Sequence, residues 1–176
     1  MRRLLLTALL TLPAAGYAAG MDSTPPTQTN TTAQCQNGQV WSEQDKACVD
    51  AQESRLDDDT LYGAVREFAY AGMYDEARGA LAAMSDPTDD RVLTYMGFVH
   101  RKQGDVDLGN AYYRQAIARN PDNYLARSYM GQGFVETGEI AAARAQLTEI
   151  RTRGGRGTWA EISLRMAIEN GRGYSY

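Results

Sequence analysis

The sequence predicts an all-α chain: three helix-turn-helix units in series, a closing helix behind them, and a small disulfide-pinned β-hairpin in front. Three observations predict it. The stretches MGFVHRKQGD (96–105) and MGQGFVETGE (130–139) repeat a Met-Gly pair, a later glycine and an acidic residue at an offset of 34. From Asp57 onward the prolines are Pro87 and Pro121, and helix formers fill most of the remaining positions. The cysteines, Cys35 and Cys48, flank a turn signal and a short alternating run. An offset shared by several residue types marks a repeated structural unit whose stacked copies bury a continuous core.

The chain opens MRRLLLTALLTLPAAGYAAG, two arginines, an apolar run from Leu4 to Leu12, then small residues. That order is expected of a secretory signal over residues 1–18, with Gly16 and Ala18 offering small side chains to a peptidase. The run is far short of the roughly 20 apolar residues a spanning helix needs, so no stable membrane insertion is expected after cleavage. Periplasmic or secreted localisation is the expectation. Loss of Arg2 and Arg3 takes the formal charge from -4 to -6, which disfavours nucleic acid as a partner. Residues 19–34 are rich in Thr, Gln and Pro without aliphatic core formers, and are expected to form a flexible linker.

Residues 35–50, CQNGQVWSEQDKACVD, read as a two-stranded ribbon: Asn37-Gly38 signals a turn, Gln39-Val40-Trp41 alternates, and Ala47-Cys48-Val49 returns. In an exported chain an even, closely spaced pair of cysteines predicts a Cys35–Cys48 disulfide, worth roughly 3 kcal/mol by loop entropy. Two thiols would leave a structural zinc two ligands short, so no metal is expected. The pattern C-x-x-G-x-V-W-x6-C is similar to one loop of the peritrophin-type chitin-binding modules, whose further cysteines are absent here. That resemblance implies an alternative role for Trp41 as a glycan contact; the other reading packs Trp41 on its own ribbon.

Residues 57–171 form the helical domain. Leu93, Met96, Gly97 and His100 fall on one helical face, Gly104 stops the helix, and Asp105 starts the next. Arg127, Met130, Gly131, Phe134, Gly138 and Glu139 take those places in the following unit. The second helices correspond through Gly109, Tyr113 and Ala116 against Ala143, Leu147 and Ile150. An earlier copy runs through Leu61, Ala64, Phe68, Gly72, Ala77, Leu81 and Met84, with Gly72 standing 32 residues before Gly104. Gly97 and Gly131 are expected to let the second helix of their own unit approach, while Tyr113 and Leu147 fill the space between units. After Gly157, Thr158 is a candidate N-cap for a helix closing on Asn170-Gly171, with Glu161, Arg165 and Glu169 sharing a solvent face. A stack of repeats leaves its last apolar face open, so this helix is expected to cap it. Residues 172–176 form a tail whose glycines and tyrosines read as a docking peptide or a frayed end.

Leu93, Met96, Gly97, Gly104, Tyr113, Ala116 and Pro121, and in the next unit Met130, Gly131, Phe134, Gly138, Ala143, Leu147 and Ile150, resemble the tetratricopeptide repeat. The resemblance spans about residues 58–157 and implies a right-handed α-solenoid whose first helices line a concave groove. By position that groove shows Tyr62, Arg66, Tyr70, Arg91, Thr94, Phe98, Arg101, Lys102, Ser128, Gln132 and Glu136. Aromatics and arginines are the types enriched in binding hot spots, so a protein or peptide ligand is the expected partner. The lysine and asparagine clamp with which some members grip a chaperone C-terminus is not reproduced: Tyr62, Arg66, Ser128 and Gln132 stand there.

No catalytic residue, cofactor or metal ligand is predicted. His100 is the single histidine and has no nucleophile or carboxylate at a partner spacing. Asp57-Asp58-Asp59 lacks the alternating oxygen ligands of a calcium loop and reads as a helix start. RTRGGRG (151–157) reads as a basic helix end followed by a terminating glycine. The expected function is a non-enzymatic periplasmic adaptor for cell-envelope assembly; the alternative is a cell-wall carbohydrate-binding protein that uses the hairpin.

Overall fold

The computed structural model describes residues 25–53 and 55–173; the expected signal (1–18), linker residues 19–24 and tail residues 174–176 lie outside the described residues. Among the described residues are eight helices and one two-stranded sheet. They run α1 (Asn30–Gln34), β1 (Val40–Ser42), β2 (Ala47–Val49), α2 (Asp58–Tyr70), α3 (Tyr74–Ala83), α4 (Asp90–Lys102), α5 (Val106–Arg119), α6 (Tyr124–Glu136), α7 (Ile140–Thr152) and α8 (Trp159–Asn170).

Side chains set the helix starts by accepting from amides that have no partner within the helix. Asp57 accepts from the Thr60 amide, Asp89 from Arg91 and Asn123 from Ala126, each at 2.8 Å, and Thr158 from Glu161 at 3.3 Å. The Asp57-Asp58-Asp59 run is therefore a cap followed by two first-turn acids. Helix ends are equally regular. Gly72, Gly104 and Gly138 take φ of 76°, 94° and 82°, and the next amide bonds back into the last turn: Met73 to Phe68, Asp105 to His100 and Glu139 to Phe134, at 2.9, 2.9 and 2.7 Å. A side chain resists that left-handed conformation, so glycine ends each of α2, α4 and α6.

The resulting pairs α2–α3, α4–α5 and α6–α7 pack in series, α4 touching α2 and α3, α6 touching α4 and α5, and α8 closing on α6 and α7. Within the middle pair the approach is closest at two glycines. A Cβ added to Gly97 would lie 2.6 Å from the Tyr113 ring and 3.0 Å from the Gly109 carbonyl oxygen. Tyr113 is fully buried there, with its ring 6.4 Å from that of Tyr129 in the next pair. Gly131 departs from expectation: its missing Cβ makes room for Leu164 of α8 at 2.7 Å, more than for Gln146 of its own partner helix at 3.4 Å. The cap needs the space because Leu164 fills the last interface.

Polar contacts across the seams differ from one seam to the next. Arg91 pairs with Asp59 at 2.8 Å between the first and second pairs. Asn123 donates to Asp90 at 2.7 Å and Arg101 pairs with Glu136 at 2.6 Å between the second and third. Ser128 meets Ser163 at 3.1 Å and Arg151 pairs with Glu161 at 2.6 Å at the capping helix. The last pairing corrects the solvent face expected on α8: Arg165 and Glu169 do pair in the open, but Glu161 is buried against α7.

The hairpin pairs Val40 with Val49, Trp41 with Cys48 and Ser42 with Ala47, and the Cys35–Cys48 disulfide is formed. It does not hang apart from the helices. Val40 is 1% exposed and joins the main core with Ala51, and Gly38 sits against Glu76 of α3. The expected linker needs correction as well, because residues 25–34 lie against the helical domain and include α1. Glu67 of α2, itself buried, accepts from the Thr29 amide and hydroxyl, both at 2.6 Å, from the Thr32 amide at 3.1 Å and from the Thr32 hydroxyl. A buried carboxylate needs such donors, and threonine supplies them without any aliphatic surface.

Replacing Gly97 with Ala should lower stability by about 1–3 kcal/mol through overpacking against Tyr113, while Gly63→Ala, whose Cβ meets nothing within 4 Å, should raise it by about 0.5–1 kcal/mol. Urea denaturation of the two variants measures both signs. Alkaline titration tests the buried phenols. Burial pushes Tyr113 up to about 12 from an ordinary 10.0, so its stabilisation is complete below pH 10 and is lost as pH rises toward 12. The melting temperature should fall over that window, less steeply in Tyr113→Phe.

Candidate functional site

Because α2, α4 and α6 recur at 32 and 34 residues, equivalent positions form rows across them. Tyr62, Thr94 and Ser128 make one row, Arg66, Phe98 and Gln132 the next, and Tyr70, Lys102 and Glu136 the row at the helix ends. The rows bring the expected groove residues together but do not present them equally. Tyr62, Arg66, Tyr70, Arg91 and Lys102 are half-buried and Glu136 is exposed; Thr94, Phe98, Arg101, Ser128 and Gln132 are buried.

These five form a floor in place of the contact surface expected of them. α6 is enclosed by α4, α5, α7 and α8, so its inward polar groups bond to one another. The Gln132 amide donates to the Ser128 hydroxyl at 3.3 Å, which meets Ser163. Thr94 donates to the Asp90 carbonyl at 2.6 Å and accepts from Asn123 at 2.9 Å. Arg101 crosses to Glu136 beside Gly133, where a Cβ would lie 3.0 Å from the arginine's Cδ. Alanine at 133 would narrow that passage.

Around the floor runs a set of aromatic rings. Tyr62 meets Tyr95 edge to face at 5.7 Å, Tyr70 stacks on Phe98 at 5.9 Å, and Phe98 lies 4.8 Å from Tyr129. The Tyr129 hydroxyl bonds with those of Tyr70 and Tyr95 at 2.8 and 3.2 Å, and Trp159 donates from Nε1 to the Tyr70 hydroxyl at 3.2 Å. Tyr95, Tyr129 and Trp159 are not among the residues expected here. The signal for the first two lies in the repeat itself, since each immediately precedes a Met-Gly pair.

Cations border the rings. The Arg66 and Arg91 guanidinium carbons lie 5.9 and 5.3 Å from the Tyr62 ring centre, and Lys102 Nζ lies 5.7 Å from that of Phe98. Asp89 and Asp59 hold Arg91 charged, at 3.0 and 2.8 Å. Burial, with Arg101 beside it, brings the Lys102 ammonium below the ordinary lysine range. Burial likewise raises the Tyr62 phenol.

Trp41 keeps contact with its own ribbon and also borders a cleft. It lies half-buried where the ribbon, the 25–34 segment and α2 meet, beside a cleft of about 380 Å³ that Asn30, Thr60, Gly63 and Arg66 also line. Its indole donates to Glu43 at 3.0 Å, and its amide donates to the Thr31 hydroxyl at 3.2 Å. His100 stacks on Tyr112 with ring centres 5.5 Å apart.

A formed disulfide fits an oxidising compartment. Among the described residues no helix is long and apolar enough to cross a membrane. No protein-family profile matches the chain, and no solved structure matches it. Over 91 residues, 51% of this chain, it is 31% identical to the cellulose synthase 1 operon protein C of Komagataeibacter xylinus; the matched stretch is 7% of that protein's length.

Proposed function

We propose that this protein is a non-enzymatic, exported adaptor: a right-handed solenoid of three tetratricopeptide-like repeats that binds an extended segment of a partner protein across α2, α4 and α6. The observation that carries this reading is the face on which half-buried Tyr62, Arg66, Tyr70, Arg91 and Lys102 stand above a buried floor ringed by aromatic side chains. Aromatic rings supply contact area at small entropic cost, and cations at their edges suit a segment bearing acidic groups. The ends of the stack support the reading too. α8 packs on the last pair, and the stapled ribbon and α1 pack on the first, so both ends of the described stack are covered.

The compartment in this proposal is the periplasm, on the signal-like start and the disulfide. The likeness to a cellulose synthase operon protein favours envelope polysaccharide assembly as the setting. Photocrosslinking in the envelope tests the face: a photoreactive residue at Tyr62 should capture a discrete partner that the same residue at exposed Arg114 of α5 does not. Equal capture from both positions, or from neither, would sink the reading.

The cleft beside Trp41 favours a second reading, a glycan contact made by the ribbon. Titration of the full chain with a soluble cello-oligosaccharide decides it. Binding abolished by Trp41→Ala supports a glycan site; no binding by the unaltered chain removes it.

A further inference from the structure

Glycines inside the helices of the stack are of two kinds. At Gly97, Gly109, Gly131 and Gly133 an added Cβ would come within 2.6, 2.9, 2.7 and 3.0 Å of a neighbouring atom, so packing requires them. Gly63 of α2 is different: it is exposed, and a Cβ there would meet nothing within 4 Å. Glycine in a helix interior weakens the helix, and no contact among the described residues requires it here. Gly63 does line the cleft beside Trp41, where a longer side chain would intrude. Gly79 of α3 has the same free space and is not part of that cleft.

The cleft continues the candidate face. Tyr62, Arg66 and Tyr70 recur every four residues along α2, and Gly63 and Glu67 follow one residue behind, about 100° further round the helix. Arg66 belongs to both surfaces: its guanidinium carbon lies 5.9 Å from the Tyr62 ring centre, and the side chain also lines the cleft. On the far side stand Trp41 of β1, Pro26 and Asn30, so the ribbon and the 25–34 segment extend the face past its first repeat.

The walls select the occupant. Both carboxylates of the lining are already engaged, Glu67 by the Thr29 and Thr32 donors and Glu43 by Lys46 at 2.7 Å and the Trp41 indole at 3.0 Å, so the cleft does not call for a cation. The Trp41 indole and the Pro26 ring offer apolar surface, with the polar groups of Asn30 and Thr60 beside it. A cleft of about 380 Å³ is near the lower limit of small-ligand sites and suits one large side chain. Arg66 at its lip complements an acidic neighbour. We propose that the cleft between Trp41, Gly63 and Arg66 receives an aromatic side chain of the partner segment, flanked in that segment by acidic residues. The inference rests on the adaptor reading and names the anchor of its partner.

Titration of the full chain with acetylated, amidated peptides Glu-Glu-Xaa-Glu-Glu, carrying Tyr, Phe or Ala at the centre, tests the anchor. The Tyr and Phe peptides should bind at least about tenfold more tightly than the Ala peptide. Gly63→Leu should bring all three to the level of the Ala peptide, because its side chain fills the cleft. Gly79→Leu, the same change on α3 away from the cleft, should keep the aromatic preference, and thermal melting should show both variants folded. No aromatic preference in the unaltered chain, no peptide binding at all, or a preference unchanged in Gly63→Leu overturns the proposal. A cello-oligosaccharide that binds the unaltered chain and is lost in Gly63→Leu, with no aromatic preference among the peptides, also overturns it and assigns the cleft to a glycan. Capture from Tyr62 without an aromatic preference removes the cleft assignment alone; an aromatic preference without that capture keeps the cleft and removes the adaptor face.

Discussion

Everything in the helical stack depends on how α2, α4 and α6 stop. A left-handed glycine and a return bond into the last turn end each helix sharply, so the chain reverses at the same level in every pair. With the reversal set, the second helix has one available lane, and the side chains that meet across it are determined by helical spacing alone. Gly97 and Gly109 make the central lane narrow enough for Tyr113 to reach past its own pair toward Tyr129. The aromatic ring set around the candidate face is thus a remote result of backbone geometry at three turns.

The N-terminal end is organised by a buried charge. Glu67 would be costly on α2 without donors, and the Thr29–Thr32 segment brings two amides and two hydroxyls to it. In return the segment gains a fixed position, and Thr31 then accepts the Trp41 amide and orients the ribbon. The disulfide holds the ribbon together internally, whereas Val40 and Glu67 bind it to the helices. Removing either kind of tie would leave the other half of the assembly without support.

Much of this is legible in the sequence because repetition makes it so. The 34-residue offset places α4 through α7, the Thr158 cap places α8, and the cysteine spacing places the ribbon. The illegible remainder involves residues whose partners lie far away in the chain. Threonine-rich 25–34 reads as too polar to order because hydrogen bonding to one distant carboxylate has no local pattern. Phe98, Ser128 and Gln132 occupy groove positions by register, yet exposure depends on how closely neighbouring helices are drawn in, which small residues such as Gly133 decide. Glu161 reads as solvent-facing by its spacing, and Arg151 of the preceding helix turns it inward.

The seams carry one more consequence. Each is bridged by a guanidinium on a carboxylate drawn from different positions, Arg91 on Asp59, Arg101 on Glu136 and Arg151 on Glu161, and the second adds an amide on a carboxylate, the third a hydroxyl on a hydroxyl. The three pairs share a shape but not a set of keys, so they are not interchangeable cassettes. Duplicating or permuting one would set Arg91 or Asn123 opposite the wrong neighbour. The order of the units is written into their edges.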